Sequence, residues 1–116
     1  MVVKSRTYRR RYIAFLVISE EPLSKGSIVS KIRDLEFSLF GVRGIVVPVG
    51  FNEKILILRV PHKLKEDLIN ALKSLDSVYG VRVTIFPVMT SGTIKTLIRK
   101  LEEMKLPTHG LRSKRR

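Results

Sequence analysis

An unbroken apolar run near the N-terminus most constrains the fold. Residues 12–19 read YIAFLVIS, are rich in β-branched and aromatic side chains, and are followed by Glu20, Glu21 and Pro22, which predicts a strand. Successive side chains of a strand point to opposite faces of its sheet, so this strand places apolar groups on both faces. The segment 55–58, ILIL, does the same. Since an open apolar face of that size is rare in a monomer, both faces of the sheet need cover.

The first predicted helix follows this strand. Ser24 is expected to cap its N-terminus, with Leu23 and Ile28 in contact across the first turn. Gly41 is expected to end the helix in a left-handed conformation. Its apolar stripe consists of Ile28, Ile32, Leu35 and Leu39.

The middle of the chain predicts a hairpin and a second helix. Residues 44–49 and 55–60 read as strands joined by the turn 50–54. Gly80 is expected to end the helix that follows, whose apolar positions are Leu64, Leu68, Leu72 and Leu75.

A fourth strand and a third helix complete the pattern. Residues 81–89 predict the strand, and Pro87 within it favours an edge position or the strand's end, because proline cannot donate a ladder hydrogen bond. The last helix is expected to begin near Ser91 or Thr93. It carries Ile94, Leu97, Ile98 and Leu101 on one face.

The element order predicts an α+β fold. The order βαββαβ is that of ferredoxin-like and RRM-like sandwiches, in which two helices back a four-stranded antiparallel sheet, here with an additional C-terminal helix. The length of 116 residues suits one domain, expected at residues 12–104 between a basic arm at 1–11 and a basic tail at 105–116. The additional helix, a protein partner, or both are expected to cover the second sheet face.

Positive charge is concentrated at the two ends of the chain. The formal net charge is +13, and nine of the 23 basic residues lie in segments 1–11 and 112–116, which contain no acidic residue. Such a charge attracts polyanions, so nucleic acid is the expected partner, with the ends acting as phosphate-binding arms. A solubilising role of the ends is the alternative. The candidate RNA-binding residues of the arms are Lys4, Arg6, Arg9, Arg10, Arg11, Arg112, Lys114, Arg115 and Arg116.

A short segment before the last helix is a second candidate for phosphate binding. Small residues at Ser91, Gly92 and Thr93 leave backbone N–H groups open to an anion, and Lys95 and Arg99 follow within the first turns. Capping of the helix by Ser91 or Thr93 explains the same spacing. The sequence leaves both interpretations open.

The sequence offers no catalytic or metal-binding motif. It has no cysteine, and His62 and His109 stand far apart without a shared motif, so we expect neither catalytic residues nor a bound metal or cofactor. Residues 54–60 lack the aromatic residues on which RNA-recognition modules stack bases, so RNA contact is expected through arms, loops and helix ends. No segment has the length of a membrane helix or the pattern of a signal peptide, and we expect a cytoplasmic protein without membrane contact.

Four fragments together resemble the ribonuclease P protein component 2 family. They are Arg10–Phe15, Ile18–Glu20, Leu58–Val60 and Val88–Lys95. The resemblance implies a non-catalytic archaeal subunit of ribonuclease P, an endonuclease that removes 5′ leaders from precursor tRNA, with catalysis performed by the RNA and its Mg²⁺. It also implies ribonuclease P RNA and a larger, barrel-shaped protein subunit as partners, in a pair that can double to a heterotetramer. A basic ribosomal or chromatin-type architectural protein is the alternative that composition allows.

Overall fold

The computed structural model describes residues 9–111, which form five strands and three α-helices. A single 3-10 turn, His62–Leu64, precedes the second helix. In chain order the elements are β1 (Arg10–Ser19), α1 (Lys25–Phe40), β2 (Val47–Phe51), β3 (Ile55–Pro61), α2 (Lys65–Lys73), β4 (Ser77–Val78), β5 (Val81–Ser91) and α3 (Ile94–Glu103).

The strands form one antiparallel sheet in the order β2-β3-β1-β5-β4. Strand β1 is central and pairs with both β3 and β5. Because these pairings are antiparallel, the beginning of β1 lies beside the ends of β3 and β5: Arg10 is opposite Pro61, and Tyr12 is opposite Ser91. The N–H of His62 donates to the carbonyl of Arg9 at 2.7 Å and extends the β1–β3 pairing.

The expected four-stranded sheet is wrong, because a short fifth strand lies at its edge. Helix α2 ends at Lys73 rather than near Gly80, and the chain then forms a tight hairpin between β4 and β5. Val78 pairs with Val81 across Tyr79 and Gly80, whose φ angles are 47° and 87°. Both turn residues are therefore left-handed, as a type I′ hairpin turn requires, and Gly80 belongs to this turn instead of ending a helix.

Several element boundaries also differ from expectation. Strand β1 begins at Arg10, two residues before the expected Tyr12, and β2 begins at Val47 rather than at residue 44. Leu39 was expected in the apolar stripe of α1, but it is 41% exposed. Glu36 of the same helix is fully buried. The late start of β2 and the burial of Glu36 have the same cause. The carboxylate of Glu36, on α1, accepts hydrogen bonds from the backbone N–H groups of residues 44–46.

The expected caps of α1 are confirmed, whereas Pro87 lies inside β5, which is neither an edge strand nor ends there. The Oγ of Ser24 accepts from the N–H of Ser27 at 3.1 Å, and Gly41, at φ 75°, donates its N–H to the carbonyl of Phe37. Pro87 is opposite Phe15 at a register shift in the β1–β5 ladder, on the side of the sheet where only the two-residue β4 follows. The missing N–H of proline thus costs the sheet little.

The sheet is covered on both faces. One face packs Ile13, Phe15 and Val17 of β1 against α1 and α2. The other face packs Ala14 of β1 and Ile57 of β3 against α3. The last helix therefore provides the cover that the sequence required.

The described part of the C-terminal tail is packed on the same side. Leu111 is buried with the residues under α3 and lies against Gly50, where an added Cβ would be 3.2 Å from its Cδ2. The side-chain amide of Asn52 donates to the carbonyls of Pro107 and His109, at 3.0 Å each. None of the helices formed by residues 9–111 is long and apolar enough to cross a bilayer.

Candidate nucleic-acid interface

One end of the sheet gathers basic residues from distant parts of the sequence. We call it the basic end and define it by residues 9–11 and 44–47, Arg59, and residues 91–95. The antiparallel register creates it, because Tyr12 of β1 is opposite both Arg59 of β3 and Ser91 of β5. Strand β2 adds its first residue, Val47, opposite Arg59. The beginning of β1 and the 91–95 segment, predicted separately, are thus neighbours.

Arg11 and Gly92 are in direct proximity. An added Cβ at Gly92 would lie 3.1 Å from Nη1 of Arg11, so the absence of a side chain at residue 92 gives the guanidinium its place. Arg11 is partly buried, and Gly92 is exposed. The structure therefore brings one residue of the predicted N-terminal arm onto the predicted helix start.

Thr93, and not Ser91, caps the last helix. Thr93 is the N-cap residue of α3, and its Oγ1 accepts from the N–H of Thr96 at 3.3 Å. The Oγ of Ser91 accepts from the N–H of Thr93 at the same distance. The capping interpretation is confirmed, while phosphate binding by this segment stays a prediction.

The start of α3 retains free donors and nearby cations. Residues Ile94 and Lys95 are the first of the helix, where backbone N–H groups have no intrahelical acceptor. The positive end of the helix dipole adds to their attraction for anions. Lys95 and Arg99 are exposed and four residues apart, hence on one side of α3. A phosphate at this position would meet backbone donors together with the charges of Arg11 and Lys95.

Arg59 is a member of the basic end that the sequence did not identify. It is partly buried in β3, and it lies in the sheet between Tyr12 and Val47. Arg10 shares a face of β1 with Tyr12, and Arg10 and Arg59 line one pocket of about 190 Å³. The signal that could have found Arg59 is the pairing of β1 with β3, which follows from the predicted fold once the register is known.

Glu36 is a second residue that the sequence did not identify. Its carboxylate accepts from the N–H groups of Gly44 at 3.0 Å, Ile45 at 2.5 Å and Val46 at 2.6 Å. It is the buried charged residue of the described chain. Three backbone donors compensate its burial, and they fix the loop that leads into β2 at the basic end.

Among the described residues no carboxylate forms an ion pair with an arginine of the basic end, and Glu36, which lies there, accepts from backbone N–H groups. Within residues 9–111 the ion pairs are Lys65 with Glu66 at 3.8 Å and Arg82 with Glu20 at 3.9 Å, and neither includes an arginine of the basic end. Glu20 and Asp76 line a pocket at the opposite end of the sheet. Charge is therefore distributed unevenly along the strands, which orients the molecule towards a polyanion.

The structure describes some of the remaining residues that the sequence analysis considered, and others lie outside it. Arg9 and Arg10 are exposed at the basic end. His62 and His109 are also exposed and apart, and residues 9–111 contain no group of three acidic or histidine side chains able to hold a metal ion. The predicted binding residues Lys4, Arg6, Arg112, Lys114, Arg115 and Arg116 lie outside the described residues.

Comparison with known proteins gives consistent matches over most of the chain. The model of the Rpp14/Pop5 family matches residues 11–102. Ribonuclease P protein component 2 of Thermococcus kodakarensis is 37% identical over 98 residues, which are 79% of this chain and 82% of that protein. The protein of the same name from Methanosarcina acetivorans is 32% identical over 96 residues, or 79% of this chain and 73% of the relative.

Two further matches extend the coverage. Ribonuclease P protein component 2 of Aeropyrum pernix is 28% identical over 113 residues, covering 90% of this chain and 92% of its own length. A chain in the cryo-EM structure of yeast ribonuclease MRP superposes with a TM-score of 0.61 at 13% identity, over 88% of this chain and 95% of that one. The latter match concerns the fold alone.

Proposed function

Because this chain belongs to the Rpp14/Pop5 family, we propose that it is a protein subunit of ribonuclease P that binds and supports the RNA of that enzyme. Its role lies in the removal of 5′ leaders from precursor tRNA. The observation that carries the proposal is that the family match, residues 11–102, contains the described cations of the basic end from Arg11 to Lys95. The part of the chain shared with ribonuclease P proteins is thus also the part suited to a polyanion.

The geometry favours contact with RNA phosphates over stacking of bases on the sheet. In RNA-recognition modules bases stack on an open sheet face. Here that surface is occupied, since Ala14, Ile55 and Ile57 are fully buried beneath α3 and its neighbours. Guanidinium groups and helix N–H donors at the basic end remain available, and they recognise phosphate rather than sequence.

The fold assignment is part of the proposal. The four long strands and α1 and α2 follow the βαββαβ order, which supports a ferredoxin-like core. Strand β4 and helix α3 are additions to that core. The addition of α3 removes the sheet face that related RNA-binding folds use.

We assign catalysis to the RNA and its Mg²⁺, and a structural role to this chain. A larger, barrel-shaped ribonuclease P protein is the proposed protein partner, with doubling of the pair to a heterotetramer. Exposed apolar side chains at Phe37, Leu39 and Val42, and at Ile18 and Phe86, support a protein partner of this kind. They provide apolar area that pairing would remove from water.

Reconstitution tests the proposal directly. Archaeal ribonuclease P RNA would be assembled with its protein subunits, with this chain present or omitted, and cleavage of precursor tRNA at the 5′ leader would be measured. We expect the chain to bind the RNA and to raise the cleavage rate of the assembly. Equal rates with and without the chain, or equal affinity for this RNA and for an unrelated duplex, would instead support a general architectural protein.

A further inference from the structure

We propose that Arg10 and Arg59 form a phosphate site of their own, which binds one backbone phosphate of the RNA and is distinct from the site at Gly92. The inference rests on the proposed function, because it takes RNA as the ligand. The proposed site includes Arg59, which lies within β3 and is far in sequence from the basic N- and C-terminal segments.

Arg10 and Arg59 line one pocket. It is lined by Arg10 of β1, by Arg59, Val60 and Pro61 of β3, and by Gly44, Ile45 and Val47 around the start of β2, around a volume of about 190 Å³. Arg10 and Arg59 reach it from adjacent strands, because Arg10 and Tyr12 lie on the same face of β1 and Tyr12 is opposite Arg59. A volume of this size suits a phosphodiester group and is below the range of typical small-molecule pockets.

Among residues 9–111 no carboxylate is ion-paired with the two arginines of the pocket, and the nearby carboxylate of Glu36 accepts from backbone N–H groups instead. Arg59 is partly buried, and the ion pairs within residues 9–111 include neither Arg59 nor Arg10. Withdrawing a guanidinium from water is unfavourable unless an anion compensates it. The planar guanidinium group of an arginine that lines such a pocket can bind the oxygens of a phosphate in bidentate fashion.

The backbone beside the pocket does not provide the anion site. The N–H groups of Gly44, Ile45 and Val46 donate to the carboxylate of Glu36. These donors are therefore directed towards the helix and are not available to a ligand. Binding in the pocket depends on Arg10 and Arg59, while Glu36 holds the loop before β2 in place.

Strand β1 separates this pocket from the site at Gly92. Arg59 and Ser91 are both opposite Tyr12, on different sides of β1. Two strand spacings therefore lie between them, about 10 Å. The two sites are close enough for phosphates of one RNA and too far apart for one phosphate, so each site contacts its own backbone position.

The experiment compares Arg59→Gln with Arg82→Gln in the full chain. Arg82 is an exposed arginine of β5 at the opposite end of the sheet, so its variant removes the same charge elsewhere. We expect Arg59→Gln to weaken binding to ribonuclease P RNA about tenfold and to lower the slope of log K against log salt by about one unit, while Arg82→Gln changes affinity less than twofold. Arg59→Lys should recover only part of the affinity, because it keeps the charge and loses the fork.

Phosphate ethylation interference identifies the contact. An ethylated phosphate that weakens wild-type binding should cease to do so in Arg59→Gln and also in Arg10→Gln, and should still interfere in Gly92→Glu. Thermal unfolding by circular dichroism confirms that each variant is folded.

The outcomes separate this inference from the proposed function. Wild-type chain that neither binds the RNA nor raises cleavage would overturn the proposed function. Wild-type binding together with wild-type affinity, salt slope and interference pattern in Arg59→Gln would overturn the phosphate site and leave the function in place. Loss of the same interference position in Gly92→Glu would show a single shared site, which also contradicts the inference.

Discussion

Nη1 of Arg11 lies 3.1 Å from the position that a Cβ of Gly92 would occupy. These residues are 81 positions apart in the chain, and the pairing of β1 with β5 brings them together. A cation from the start of the chain thereby joins the N-terminus of α3.

Replacement of Gly92 should separate steric from electrostatic effects. Gly92→Ala displaces only the flexible tip of Arg11, so we expect a small change in stability and in RNA affinity. Gly92→Glu adds a carboxylate beside Arg11 and the helix start, where it should repel an RNA phosphate while a helix N-terminus tolerates an acid. Affinity for ribonuclease P RNA should fall at least fivefold, and the melting temperature should change little. Equal RNA affinities for folded Gly92→Glu and Gly92→Ala would leave this segment a capping role only.

Lys95 provides an independent measure of the same site. Lys95→Ala should weaken RNA binding and reduce the salt slope by about one unit if a phosphate occupies the helix start. Lys73→Ala, at the C-terminal end of α2, is the matched control, because it removes an exposed lysine from another part of the surface. Identical slopes for the two variants would contradict phosphate binding at α3.

Loss of the cap should affect folding rather than RNA. In Thr93→Ala the N–H of Thr96 loses the Oγ1 acceptor, so unfolding free energy should drop by about 0.5–2 kcal/mol. Denaturant unfolding measures this change. RNA affinity of the folded variant should equal that of wild type, since the N–H groups of Ile94 and Lys95 remain. Thr84→Ala, an exposed threonine of β5 with no role as a cap, should alter stability by less than the cap variant.

Glu36→Gln should destabilise the protein and loosen the loop before β2. The amide keeps one acceptor oxygen but places an NH₂ group against N–H donors, so we expect a loss of about 1–3 kcal/mol in urea unfolding. Hydrogen exchange at residues 44–46 should accelerate. Glu53→Gln, in the exposed turn after β2, should leave both measurements near wild type. Unchanged exchange at residues 44–46 in Glu36→Gln would show that the carboxylate does not hold this loop.

Two truncations distinguish the packed part of the C-terminal tail from the basic residues that follow it. Removal of residues 112–116 keeps Leu111 against Gly50, and RNA binding should become weaker and less dependent on salt. Removal of residues 105–116 also exposes the core beneath Leu111 and breaks the contacts of Asn52, so it should lower stability by about 2–5 kcal/mol. An unchanged salt slope after removal of 112–116 would argue for a merely solubilising tail.

His62→Ala should leave cleavage by the reconstituted enzyme near the wild-type rate. The side chain is exposed, and the N–H that donates to Arg9 belongs to the backbone, which the substitution retains. A single-turnover assay of precursor tRNA cleavage measures the chemical step separately from assembly. A large fall in that step, with the particle assembled normally, would place catalytic chemistry on this chain.

The sequence by itself determined the features that depend on short stretches of chain. Apolar residues on both faces of β1 predicted a sheet that is covered on both faces, and α3 covers the second face. Ser24, Gly41 and Thr93 act on donors and acceptors within one turn of their own helices, so their roles could be read locally. The family fragments likewise lie in continuous sequence.

Tertiary structure decided what depends on register and on burial. The pairing of Tyr12 with both Arg59 and Ser91 places cations of β1, β3 and the start of α3 at one end of the sheet, and no local pattern specifies that alignment. No signal in the sequence predicts the burial of Glu36. It is buried because three N–H groups eight to ten residues away compensate its charge, and those partners exist only once the chain has folded back on α1.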